Sequence, residues 1–161
     1  MSDMKQLARN LRVLAKAVPE NANVMVRTVA LAIDQTLVLN TPVDTGRARG
    51  NWQVTIGEPA EGEVQGLPLR PKGKKKAAAV ISAPTEDTGM VAIKAAIAAT
   101  KDFKGGTIFI VNNLPYIVPL NNGHSQQAPA GFVQTAILNG IQAVQNATLL
   151  SKPEGFGESN G

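Results

Sequence analysis

Thr41-Pro42-Val43-Asp44-Thr45-Gly46-Arg47, followed closely by Asn51-Trp52, is the stretch that sets the path of the chain. A residue that precedes proline is driven out of the helical region, so whatever helix leads in must stop at Asn40-Thr41. Pro42, Asp44 and Gly46 are turn formers, and Asp44 is placed to accept backbone N–H groups in an Asx turn or as a helix N-cap. Beyond the turn, residues 51–57 alternate polar positions with Trp52, Val54 and Ile56, the pattern of a short half-buried strand. The segment therefore reverses the chain from helix into strand. It aims Arg47 and Arg49 outward, and Trp52 anchors the turn to the sheet.

Upstream, Leu7, Leu11, Leu14 and Val18 recur at helical spacing, one stripe of an amphipathic helix. Pro19 is expected to interrupt it, because proline removes a backbone donor and clashes with the preceding turn. Val26, Val29, Ala30, Ile33 and Leu37 then predict a second helical run. Downstream, residues 58–84 lose all periodicity and are punctuated by proline and glycine. They read as a long loop or hairpin insertion, with residues 77–81 as a returning strand. Thr85-Glu86-Asp87 offers a cap and first-turn acids for a helix over residues 86–99. Residues 107–111 are a β-branched run expected as a strand, with residues 116–120 as its hairpin partner. Pro115 and Pro119 would put that partner at an edge. Val133, Ile137, Ile141 and Val144 mark a final helix, and the chain from Ser151 reads as a disordered tail. With 161 residues, the organisation is one domain over 1–150 with an extended arm at 58–84.

Composition removes whole classes of chemistry. There are no cysteines, so disulfides, thiol nucleophiles and cysteine-ligated zinc are excluded, and one histidine leaves little for a metal site. No cofactor or metal is expected. His124 and Ser125 are adjacent, and Asp44 and Asp102 are available as acids. Adjacency does not supply the geometry of a triad, and Gly123-His124-Ser125-Gln126-Gln127 lacks the second glycine of a nucleophile elbow. The expected reading is therefore not an enzyme. No apolar stretch fits a secretory signal, and the apolar runs fall short of the ~20 residues that span a bilayer. The expected setting is cytosol-like, with no membrane partner.

The formal charge is +4, yet Arg70, Lys72, Lys74, Lys75 and Lys76 fall within seven acid-free residues, and the rest of the chain carries −1. Such a cluster can contact phosphates or an acidic protein surface. No aromatic residue lies between Trp52 and Phe103, so base stacking is not its device. Non-specific DNA binding through Arg70–Lys76 stays as the alternative function.

Two dense motifs remain, at 41–52 and 112–133. The first, Thr41 to Arg47 with Asn51-Trp52, resembles the signature of a tailed-bacteriophage family of head–tail joining proteins, called neck, tail-completion or minor tail proteins. The second block agrees in order and spacing: Ile110, Asn112, Pro115-Tyr116, Leu120, Gly123-His124-Ser125, Gln127-Ala128-Pro129 and Gly131-Phe132-Val133. The resemblance covers roughly residues 20–148. This chain has Asn121-Asn122 where many members carry an acid just after the leucine.

The resemblance implies an α+β fold: a twisted, mainly antiparallel sheet packed by a long N-terminal helix and a C-terminal helix. It also implies a virion protein, a homo-hexameric ring around the DNA channel, assembled in the host cytoplasm and found in the neck or tail of the particle. The implied partners are further copies of the chain, a head-connector or head-closure protein, a tail-terminator or tail-tube protein, and genomic DNA in the lumen. A ring contact is heterologous and needs two unlike patches on one subunit. The two motif-bearing loops either contribute such patches or brace each other within one subunit. The candidate contact residues are Asp44, Arg47, Arg49, Trp52, Tyr116, His124 and Ser125. Arg70, Lys72, Lys74, Lys75 and Lys76 are the candidates toward DNA or an acidic partner.

Overall fold

The computed structural model describes residues 2–70, 87–126 and 130–146. The first element, α1, is a single 39-residue helix, Ser2–Asn40, that contains Pro19. At 1.5 Å per residue it is about 58 Å long. The two helices expected on either side of Pro19 are thus one. Pro19 is exposed, so the backbone bond it removes faces water rather than the core. Within α1, the 22-residue stretch Pro19–Asn40 holds an 18-residue window of mean hydropathy 1.3, enough by length and composition to cross a membrane, which corrects the shorter estimate from the sequence. In the fold this stretch buries Ala30, Leu37 and Val38 against other elements.

The helix ends where Pro42 requires. Thr41 N and Thr41 Oγ1 both donate to Leu37 O, at 3.0 and 2.6 Å. Gly46, at φ 90°, then opens a one-turn helix, α2 (Arg47–Gly50). That left-handed conformation is easy only for glycine. Asp44 is not the cap: it is exposed, and Arg47 N donates instead to Thr45 Oγ1 (3.3 Å).

Strand β1 (Gln53–Ile56) follows as read. Asp87 caps α3 (Thr88–Ala99), its carboxylate accepting from Gly89 N at 3.2 Å. Strand β2 (Ile108–Val111) pairs antiparallel with β1, Gln53 opposite Val111 and Ile56 opposite Ile108. The expected hairpin of 107–111 with 116–120 does not form. Ile117–Asn121 is instead a short helix, α4. Pro119 falls in its first turn, where the missing N–H would have no intrahelical partner anyway. Ile117 and Leu120, three apart, pack on the core from the same face. Finally α5 (Phe132–Asn146) closes the fold. The expected strand at 77–81 and the expected tail from 151 lie outside the described residues.

The architecture is α+β, with a two-stranded antiparallel sheet among the described residues. Its core is Leu37, Val38, Trp52, Ala92, Phe132 and Ala136, drawn from α1, α3, α5 and the residue that enters β1. α5 lies along α1 so closely that a Cβ on Gly140 would overlap the Ile33 side chain.

Candidate functional site

The segments that carry the two sequence motifs meet. Asn112 Nδ2 donates to Ala48 O across 64 residues of sequence (2.9 Å), and its Oδ1 accepts from Leu114 N (3.3 Å). Asn51, wholly buried, donates to Arg47 O and accepts from Val64 N, both at 2.8 Å. Asn113 Nδ2 reaches Ala60 O (2.9 Å) and Gly62 O (2.8 Å). Asn121 fastens the start of α5: its Oδ1 accepts from Val133 N (3.0 Å), and its backbone O accepts from Gly131 N (2.7 Å). Buried backbone groups must be paired; Asn51, Asn112 and Asn121 do this at loops that carry no ladder, and Asn113 ties the chain in the same way at the surface.

Between these braces lies a half-open cleft of about 350 Å³. Asp44, Arg47, Tyr116, Leu120, His124 and Ser125 are among its walls. Five of the seven candidate contact residues are therefore brought to one place. Arg47 is exposed and ion-paired with Glu63, whose hydrogen bond and charge hold the guanidinium above its ordinary pKa. Desolvation raises the Tyr116 phenol; Arg47 lowers it and Glu63 adds a smaller rise. His124 Nδ1 lies 2.9 Å from Pro119 O, which holds the ring against the end of α4. Asp44 and His124 line the same cleft, but no hydrogen bond joins them among the described residues.

Two candidates are placed elsewhere. Arg49 does not point outward. Its Nη2 donates to Leu39 O (3.1 Å) and Thr41 O (3.2 Å), while Nη1 lies 3.6 Å from Asp87 Oδ2. A cation on the last carbonyls of α1 is where the helix dipole favours one. Trp52 is buried, and its indole Nε1 donates to Thr41 Oγ1 at 2.8 Å. Both residues tie the turn to the core rather than present a surface. Arg70 starts the basic segment beside the cleft, its N donating to Thr45 O at 2.9 Å. Lys72, Lys74, Lys75 and Lys76 lie outside the described residues.

Glu63 went unread as a site residue, because its partner Arg47 is sixteen positions away in irregular chain. Asn51 and Asn112 were visible only as polar residues beside strands. Among the described residues no group of three or more acidic or histidine side chains could hold a metal ion. No known protein family, no characterised protein and no solved structure matches this chain.

Proposed function

We propose that this chain is a structural subunit of a tailed-bacteriophage neck, one copy of a ring that joins the head connector to the tail. The observation that carries the reading is the convergence of the two motif-bearing segments on one open polar cleft. Polar residues that serve only the fold are used up inside the subunit, as Asn51, Asn112 and Asn121 are. Asp44, Arg47, Tyr116 and His124 instead front solvent around the cleft. A closed ring needs two unlike patches that fit each other, and this cleft supplies one of them. The basic segment that starts beside it would meet either lumenal DNA or an acidic surface of the head-connector or tail-tube protein.

Electron microscopy and native mass spectrometry of the full chain, alone and mixed with head-connector and tail-tube proteins, test the proposal. Closed rings with a central channel support it, and single chains under every condition overturn it. The shared position of Asp44, His124 and Ser125 favours one second reading, hydrolysis. Turnover of activated esters that disappears in His124→Ala, with assembly unaffected, would favour that reading instead.

A further inference from the structure

We propose that the N-terminal half of α1 is a self-association helix, packing against the same segment of neighbouring copies of this chain. The inference rests on the ring reading and adds a second contact between subunits to the one at the cleft. The cross-element contacts of α1 described above all involve Ala30 or later residues; others bring in Arg27, whose Nε donates to Thr100 Oγ1 at 3.3 Å, and Asn23, opposite Gly105. The helix continues for some twenty residues beyond, about 30 Å at 1.5 Å per residue. Along that extension Met4 is 71% exposed, Leu7 52% and Leu11 57%.

These residues are not scattered. Met4, Leu7 and Leu11, continued in sequence by Leu14 and Val18, alternate spacings of three and four, the a and d positions of a heptad. The large aliphatic residues hold the a and d positions, as in the seam of a coiled coil, with only Val13 (at c) outside them and alanines beside it at e and g. The charges keep clear of it: Lys5, Arg9, Arg12 and Lys16 all fall at b and f, away from the seam.

The flanks decide the occupant. The e and g positions choose the partner of a coiled coil through their charges. Between Met4 and Val18 they are Ala8, Asn10, Ala15 and Ala17. No charge there repels a like copy or selects an unlike one. Small residues on both sides of the seam also let one helix approach a neighbour on each side, which a ring of parallel helices requires. An interfacial membrane helix is commonly anchored by Trp or Phe, and this segment has no aromatic residue.

The test uses the full chain and exploits its lack of cysteine. Sedimentation velocity should find the parent as a multimer and the Leu7→Asp/Leu11→Asp double variant at the 16.9 kDa of one chain, with an unchanged thermal midpoint. Leu11→Cys, at the seam, should form interchain disulfides at least tenfold faster than Arg9→Cys, at an outward position. A double variant as multimeric as the parent, or equal crosslinking of the two cysteine variants, overturns this inference and leaves the ring reading standing. A parent that is monomeric at every concentration overturns both. Loss of binding to anionic phosphatidylserine vesicles in the double variant, with no change in multimer size, assigns the stripe to a membrane and overturns it too.

Discussion

Asp34 is the one buried carboxyl group among the described residues: it is 1% exposed, and its Oδ1 has no hydrogen-bond partner. Burial disfavours the charged form and pushes its pKa from 3.8 to about 7. Among the described residues burial is the one cause of this shift, and α5, which packs along α1, has no titratable residue. Because the folded state holds the proton more tightly than the unfolded chain, stability is full below about pH 4. It is lost as the pH rises through about 7, by an amount on the order of 4 kcal/mol. Asp34→Asn should flatten this profile and raise the urea midpoint at pH 8 relative to the parent, with little change at pH 4. The second residue-scale prediction concerns Thr41, whose hydroxyl both donates to Leu37 O and accepts from Trp52 Nε1. Thr41→Val keeps the shape and orphans a buried indole N–H, which should cost about 1–3 kcal/mol in chemical denaturation. Thr41→Ser, which keeps the hydroxyl, should cost less.

Helix packing turns on Gly140, the one α5 position where α1 leaves no room for a Cβ. Alanine there is favoured by about 1 kcal/mol of helix propensity over glycine. Overpacking against Ile33 and Val29 O should outweigh that gain and destabilise by about 1–3 kcal/mol before compensation. Calorimetry should therefore find Gly140→Ala less stable than the parent, and Gly140→Ala/Ile33→Ala partly recovered. β1, α3, β2 and α5 were legible in the sequence because each obeys a local rule of alternation, capping or helical spacing. Two elements were misread for one reason, that proline is punctuation only where its backbone bond would have been made inside the protein. Pro19 lies on a wet face, and Pro119 lies in a first turn that makes no such bond. The pairing of β1 with β2 was also hidden, because it joins residues 52 to 58 positions apart and no local pattern encodes that choice. The cleft was half legible. Turn chemistry marked Asp44, Arg47 and the 121–125 loop, whereas Glu63 and the asparagine braces depend on tertiary approach.

At the scale of the molecule, charge and fold are separate. Replacing Arg70, Lys72, Lys74, Lys75 and Lys76 with glutamine turns the formal charge from +4 to −1. The thermal midpoint should stay within about a degree or two, since exposed charges add little to stability. If the segment contacts DNA, binding should weaken, and the log–log salt slope should fall by about 0.9 for each phosphate released. A slope unchanged by the five substitutions would assign the segment to a protein surface. The pairing of α1 with α5 has a consequence for biosynthesis. The first helix is built by residue 40, and the helix that covers it begins at Phe132. At translation rates of roughly 5–20 residues per second, the two are separated by about 5–20 s. Throughout that interval the face of α1 around Ile33, which Gly140 later packs against, lies open to chaperones and to other nascent chains. A gene product that stops before Phe132 would never close, and its fate is degradation or inclusion bodies rather than a smaller soluble subunit.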